Sequence, residues 1–330
     1  MAPQSMNAYR AAHGVATVVR QKHLGGIDVE QAFSLALDEA AKAGFSAVRC
    51  EAVADEEAFD LFLADAPSRR DAAVLRDALE RAFPKSDVFV QPTIGRQKKL
   101  FVSDMDSTVI GQECIDEIAY ALDMGEVMAS ITDRAMRGEI PFAESLSMRL
   151  ALLKGAPTSL LQDVYDKRIH FSEGAARLLE GLAEHGVKTV LVSGGFTFFA
   201  KRVAQELGFD AYHANVLDEK DGVLTGAVRG EILTGAHKEA LLREYAAKLE
   251  IAPGDAMAVG DGANDVPMIM AAGTGVAYRA KPATEEAAPY RLRHNDLDAL
   301  LYVMGFGRKG AAHAVTLGET VAPPFSDGRH

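Results

Sequence analysis

The sequence predicts a two-part α/β protein, with a small α+β segment of order βαββαβ followed by a doubly wound parallel sheet that carries a helical insertion. Three observations predict it. Short apolar runs alternate with amphipathic stretches through both parts. A polar, turn-rich "PTIGRQKK", residues 92–99, separates them. Beyond that point the apolar runs end in acidic or glycine-rich turns, as the strands of an open parallel sheet do where ligands bind. The length of 330 residues exceeds one comfortable core and agrees with about two domains.

In the first part, "GVATVVR" reads as a strand and "DVEQAFSLALDEAAKAG" as an amphipathic helix with Asp28 as its cap. "SAVRCEAVA" and "AFDLFLA" read as strands, "RDAAVLRDALERAF" as a helix and "DVFVQP" as a last extended run. That order suggests a ferredoxin-like or ACT-like domain over residues 1–95. It contains no catalytic spacing, so a regulatory, dimerising or structural role is expected, with which a homodimer is compatible. In the second part, residues 99–310, "LFVSD", "KTVLVSGG", "AMAVGDG" and "TGVAY" read as strands. The helices "GAARLLEGLAEHG", "FFAKRVAQELG" and "KEALLREYAAKL" lie between or after them. Between the first two strands sits a mostly helical insertion over about residues 113–168, far longer than an ordinary βα loop. It is expected to cap the crevice. Residues 311–330 read as a flexible tail.

Composition narrows the function. A formal net charge of -12 gives no basic footprint for nucleic acid, and it repels an anionic substrate unless positive charge or a metal is focused in the site. No stretch offers the roughly 20 apolar residues of a membrane span, and the N-terminal "MAPQSMNAYRAAHGVATVV" lacks a basic segment leading into a signal-length apolar core. A cytoplasmic protein with no membrane partner is expected. The cysteines, Cys50 and Cys114, have neither disulfide-framework nor zinc-ligand spacing and read as reduced thiols. His185 and His237 fit helix ends, and no Cys/His pair is visible.

The polar residues gather at three strand ends: Asp104 and Asp106, Ser193 and Gly194, and Asp261 with Asn264. On strand period, Asp104 and Asp106 face the same crevice with Met105 turned away. Two close carboxylates resist joint ionisation, and a hard divalent cation removes that objection. Asp261 leaves a separate strand end in "VGDGANDVPM", where glycines admit a ligand and Asp265 can support the coordinating residues. Phosphate needs holding from the other side. "SGG" at 193–195, between strand and helix, offers a hydroxyl and free N–H groups, and Lys238 at a helix start offers an ammonium for phosphoryl charge.

Taken together, these residues resemble the phosphoserine phosphatase branch of the haloacid dehalogenase (HAD) superfamily. The resemblance covers roughly residues 99–305 and rests on four ordered motifs: "DMDST", the Ser of "VLVSGG", Lys238 and "GDGAND". "GQECIDEIA" and "SLSMRLALLKG" resemble the phosphoserine-specific branch. It implies a HAD-like Rossmannoid sheet with a helical cap. It also implies Mg²⁺-dependent hydrolysis of L-phosphoserine to L-serine and phosphate, the last step of serine biosynthesis, through an aspartyl phosphate. Asp104 is then the nucleophile, Asp106 the acid and base, and Lys238 the third catalytic residue. Mg²⁺ is held by Asp104, the backbone carbonyl of Asp106, and Asp261. Glu113 takes the substrate ammonium and Arg149 its carboxylate, while Ser193, Gly194 and Asn264 take phosphate. Thr108 and Ser107 read as turn residues.

Rival classes are weighed on the same residues. An aspartyl-phosphate ion pump needs membrane helices that the sequence lacks. A non-catalytic binding protein is expected to lose Asp104, Asp106 or Lys238. A phosphatase for another small phosphomonoester, or a phosphotransferase passing the same phosphoryl group to an alcohol, is the remaining alternative.

Overall fold

The structure is a computed structural model, which describes residues 12–20, 28–54, 57–136, 139–307 and 314–316. The chain divides into two compact units, Met1–Arg96 with Gly305–His330, and Gln97–Met304.

The first unit runs β1 (Gly14–Arg20), α1 (Val29–Lys42), β2 (Ala47–Ala54), β3 (Ala58–Leu63), α2 (Arg69–Ala82) and β4 (Ser86–Pro92). These strands pair antiparallel in the order β2-β3-β1-β4, so each βαβ crossover skips one strand, as in the expected ferredoxin-like arrangement. Asp28 starts α1 by accepting from Gln31 N–H at 2.9 Å. The helix then buries Ala32, Phe33, Ala36 and Ala40 along one face. That face meets Ala16, Val18, Leu61 and Val88, which strand alternation turns to the same side. Phe59 packs edge-on against Phe33 and Phe83, with both ring centroids 5.5 Å away. Thr17 points the other way, fully buried, and donates to Asp60 Oδ1 at 2.7 Å. Arg96, read from sequence as part of a linker, forks onto both oxygens of Asp60 at 2.7 and 2.8 Å.

The second unit opens with β5 (Leu100–Ser103), followed by a turn over residues 104–110 and four helices, α3 (Cys114–Ala121), α4 (Gly125–Met136), α5 (Phe142–Leu152) and α6 (Ser159–Arg168). The chain returns through α7 (Ala175–Glu184), β6 (Lys188–Phe196), α8 (Thr197–Leu207), β7 (Ala211–Lys220), β8 (Val223–Arg229) and α9 (Gly235–Lys248). It continues through β9 (Ala256–Gly260), α10 (Val266–Ala271), β10 (Thr274–Tyr278), α11 (Pro282–Ala287), β11 (Tyr290–Leu292) and α12 (Ala299–Val303). The sheet order is β11-β10-β9-β5-β6-β7-β8, so β5 is central, with β6 on one side and β9 on the other. A crevice opens beyond the carboxyl ends where the order reverses. Leu100, Val102, Val190, Val192, Ala256 and Ala258 bury one sheet face under Leu242 and Ala246 of α9 and Met268 of α10.

The sheet departs from the expected parallel form at one edge, where β8 runs antiparallel to β7. The turn between them, Asp221-Gly222, has φ of 53° and 79°, the left-handed pair that a tight hairpin needs and that Asp-Gly supplies. Both strands are mostly solvent-facing, so they carried no apolar run to announce them. A second departure concerns the expected tail. Within it β12 (Ala314–Thr316) pairs antiparallel with β2 at the edge of the first sheet, where backbone pairing needs no particular side chain. The rest of that tail lies outside the described residues. Among the described residues, no helix is long and apolar enough to cross a membrane.

Candidate active site

The site is built where β5, β6 and β9 end, all within the second unit. Asp104 N–H donates to Val259 O at 2.9 Å, so the ladder with β9 carries one residue past β5 and fixes the Asp104 backbone. The strand period stops there. Asp106 faces the same cavity because of a wide turn, closed by Ile110 N–H to Met105 O at 3.0 Å, with Ser107 left-handed at φ 53°. The turn, rather than the strand alternation expected from sequence, places the second acid; Met105 is fully buried beneath it.

Each carboxylate is held by different partners. Asp104 Oδ1 accepts from Met105 N–H at 2.7 Å and lies 2.8 Å from Lys238 Nζ. Lys238, fully buried near the start of α9, also lies 2.6 Å from Asp265 Oδ1. Asp265 Oδ2 in turn accepts from Gly262 N–H at 2.9 Å. Gly260 is required here, since a side chain would run into the Asp265 carboxyl. Asp106 Oδ1 accepts from Cys114 N–H, and its Oδ2 from Ser193 Oγ, both at 2.9 Å. Ser193 Oγ also accepts from Gly195 N–H at 2.8 Å. A Cβ on Gly195 would lie 2.5 Å from Asp106 Oδ2, so the approach of β6 to Asp106 depends on that glycine. Asn215, unnoticed in the sequence, steadies the next peptide by donating to Gly194 O at 2.8 Å.

The electrostatics are strongly acidic. Burial pushes the Asp104 carboxyl well above the usual range; Asp265, Asp261 and Asp106 push the same way, and Lys238 opposes them. Burial also raises Asp261, against the pull of Lys281, whose ammonium lies 3.4 Å from Asp261 Oδ2. Burial lowers Lys238, but Asp104 and Asp265 outweigh it and leave the net shift upward. Glu113, just before α3, accepts from Ser107 Oγ at 2.9 Å, and burial, aided by Asp106, pushes it up to about 7. Burial likewise raises the Cys114 thiol, consistent with an inert buried cysteine. His237 caps α9 by accepting from Thr234 N–H, and His185 sits at the end of α7, both as expected.

Carboxylate oxygens of Asp104, Asp261 and Asp265 lie within 4.8 Å of one another. Their hard oxygens, and a charge that Lys238 and Lys281 offset only in part, fit a divalent cation. The Asp106 carboxyl stands outside this group, turned to Ser193 and Cys114. A cavity of about 500 Å³ covers the acids and reaches up into α3 and α5. It is lined by every residue assigned from sequence except Ser193 and Lys238, which sit beneath it. Lys281, Asp116 and Ser145 line it as well and were not singled out from sequence. For Lys281 a signal existed: it stands three residues past the carboxyl end of β10, where ligand-contacting residues are expected.

Comparison with known proteins agrees with this geometry. Residues 101–270 match the haloacid dehalogenase-like hydrolase family. A phosphoserine phosphatase of Archaeoglobus fulgidus is 42% identical over 247 residues, covering 74% of this chain and 71% of that protein. The crystal structure of a HAD family hydrolase from Salmonella enterica serovar Typhi superposes with a TM-score of 0.77 at 30% identity, over 89% of this chain and 99% of that one. A phosphoserine phosphatase solved as a phospho-aspartyl intermediate analogue superposes with a TM-score of 0.59 at 39% identity, over 62% of this chain and 98% of that one. With three motifs on adjacent strand ends, the fourth, Lys238, reaching in from the start of α9, and a relative this similar over most of its length, the chain belongs to the haloacid dehalogenase-like hydrolase family.

Proposed function

We propose that the chain is a phosphoserine phosphatase, hydrolysing L-phosphoserine to L-serine and phosphate in the last step of serine biosynthesis. One observation carries the reading: a single cavity has Asp104, paired from beneath by Lys238, and Asp106 at its floor and a carboxylate and a guanidinium, Glu113 and Arg149, in its upper wall. A phosphate monoester of a zwitterion matches both ends. Guanidinium meets carboxylate as a two-pronged fork, and Glu113 pairs an ammonium.

The reaction is a double displacement. Asp104 attacks phosphorus while the bond to the serine oxygen breaks, giving an aspartyl phosphate. Asp106 delivers a proton to that oxygen. It then takes a proton from water as the water attacks phosphorus and the bond to Asp104 breaks, so one group serves both halves. The hydrogen bonds from Met105 N–H and Lys238 hold the Asp104 carboxylate in one orientation, and Cys114 N–H and Ser193 do the same for Asp106. Lys238, Gly194 N–H and Asn264 take the phosphoryl oxygens, and Ser193 joins them when its one O–H turns from Asp106 to the phosphate. Mg²⁺, held by Asp104, Asp261 and the backbone carbonyl of Asp106, supplies charge neutralisation between nucleophile and phosphate when bound. Asp265 orients Lys238. A small soluble substrate suits a cytoplasmic enzyme.

The test is phosphate release from a panel of small phosphomonoesters with and without Mg²⁺. L-Phosphoserine is expected among the best substrates, with turnover lost on chelation. A clear preference for another phosphomonoester, or transfer of the phosphoryl group to an added alcohol in place of water, would overturn the reading.

A further inference from the structure

Five buried side-chain polar atoms have no hydrogen-bond partner among the described residues, and three of them, Asp116 Oδ1, Ser145 Oγ and Arg149 Nε, belong to residues lining the cavity over the catalytic acids. Buried polar groups are almost always paired, so three unpaired ones on one wall call for a ligand. Local structure does not account for them. Asp116 sits in the first turn of α3, where an acid ordinarily accepts from a free backbone N–H, yet its buried oxygen accepts nothing. Ser145 is 1% exposed, and although the carbonyl of Pro141 could accept its hydroxyl as well as its N–H, only the N–H bonds there and the hydroxyl is left unpaired.

The chemistry of the wall is mixed: acceptors on Asp116 and Glu113, donors on Arg149 and Ser145. Burial raises the Asp116 carboxyl while the Arg149 charge pulls it down, so the two groups sense each other without pairing. A substrate ammonium carries three N–H donors pointing in different directions, and Glu113, which already accepts from Ser107 on Oε1, leaves room for a second acceptor beside it. We infer that Asp116 is a second carboxylate for the substrate ammonium and that Ser145 donates to the substrate carboxylate beside Arg149, making both specificity-determining residues. This rests on the phosphoserine reading above.

The test compares kcat/KM on L-phosphoserine, O-phosphoethanolamine (ammonium without carboxylate) and 3-phosphoglycerate (carboxylate without ammonium). Where turnover of either analogue is too slow, its inhibition constant against L-phosphoserine replaces kcat/KM. Asp116→Asn is expected to cost about 10-fold or more on both ammonium-bearing compounds, through KM, and little on 3-phosphoglycerate. Asp116→Glu, which keeps the charge, should recover part of that loss. Ser145→Ala is expected to do the reverse, sparing O-phosphoethanolamine. Equal losses on all three compounds, or no loss on any, would overturn the inference by showing a structural role or none. A wild-type enzyme that does not favour L-phosphoserine would overturn the underlying reading instead, so the two failures are distinguishable.

Discussion

The hydroxyl of Ser193 donates to Asp106 Oδ2 at 2.9 Å while accepting the N–H of Gly195 at 2.8 Å. Those two residues, 87 apart in sequence, tie the end of β6 to the turn after β5. Ser193 therefore aims the proposed acid and base before any substrate arrives. Ser193→Ala should lower kcat by about 10-fold or more, because a positioned proton donor contributes 10²–10⁴ and loses part of that when it can rotate. Unchanged kcat with a raised KM alone would assign Ser193 to phosphate binding only.

Asp104→Asn keeps the shape of the side chain and removes the carboxylate proposed to attack phosphorus. Steady-state turnover should disappear, and labelled phosphate from substrate should no longer be trapped on the protein by acid quenching. The variant should still unfold cooperatively. Substantial turnover in a preparation free of deamidated protein would exclude covalent catalysis by Asp104.

Arg149→Ala removes the guanidinium proposed for the substrate carboxylate. Transition-state binding of L-phosphoserine should fall by about 2–5 kcal/mol, part of it from the partner left unpaired in a closed site. A phosphomonoester without a carboxylate never made that contact, so its kcat/KM should change far less. Equal losses would place Arg149 in phosphate binding or cap closure.

Glu113, pushed up to about 7 by burial and by Asp106, should titrate within the working range of the free enzyme. Only its ionised form pairs an ammonium. As pH rises from about 6 to 8, kcat/KM for L-phosphoserine should therefore rise relative to that for a phosphomonoester lacking an ammonium. In Glu113→Gln the ratio of the two values should be flat across that window.

Arg96→Ala should destabilise the first unit by about 3–5 kcal/mol, since it strips Asp60 of both arms of its fork and leaves a buried carboxylate. Denaturant unfolding measures the loss. Pairing the change with Asp60→Asn should recover much of it, because the stranded charge is then gone. An additive double mutant would mean that the fork contributes no coupling.

What could be read from the chain is what local chemistry writes into short stretches. The alternation in "GVATVVR", the cap at Asp28 and the helix behind it, and the apolar runs ending at Asp104, Ser193 and Asp261 each depend on neighbours within a few residues. Their types and order were enough for the fold class. The hairpin at Asp221-Gly222 is equally local, but its strands face solvent and so carry no apolar run that marks them in the sequence. The fork of Arg96 on Asp60 and the support of Gly194 by Asn215 join residues 36 and 21 apart, across strands, and no spacing announces them.

By itself, then, the sequence determined the element order, the family motifs and the residue types at the strand ends, because periodicity, capping and turn chemistry act over a few residues. Only the tertiary structure decided which oxygen faces which donor. Lys238 lies between Asp104 and Asp265, Asp106 is turned by a wide loop toward Ser193, and Asp116 and Ser145 are left unpaired beside Arg149. Strand order and helix packing bring these groups together, and the burial that follows makes each pairing or lack of one count, since water no longer screens or substitutes for a partner.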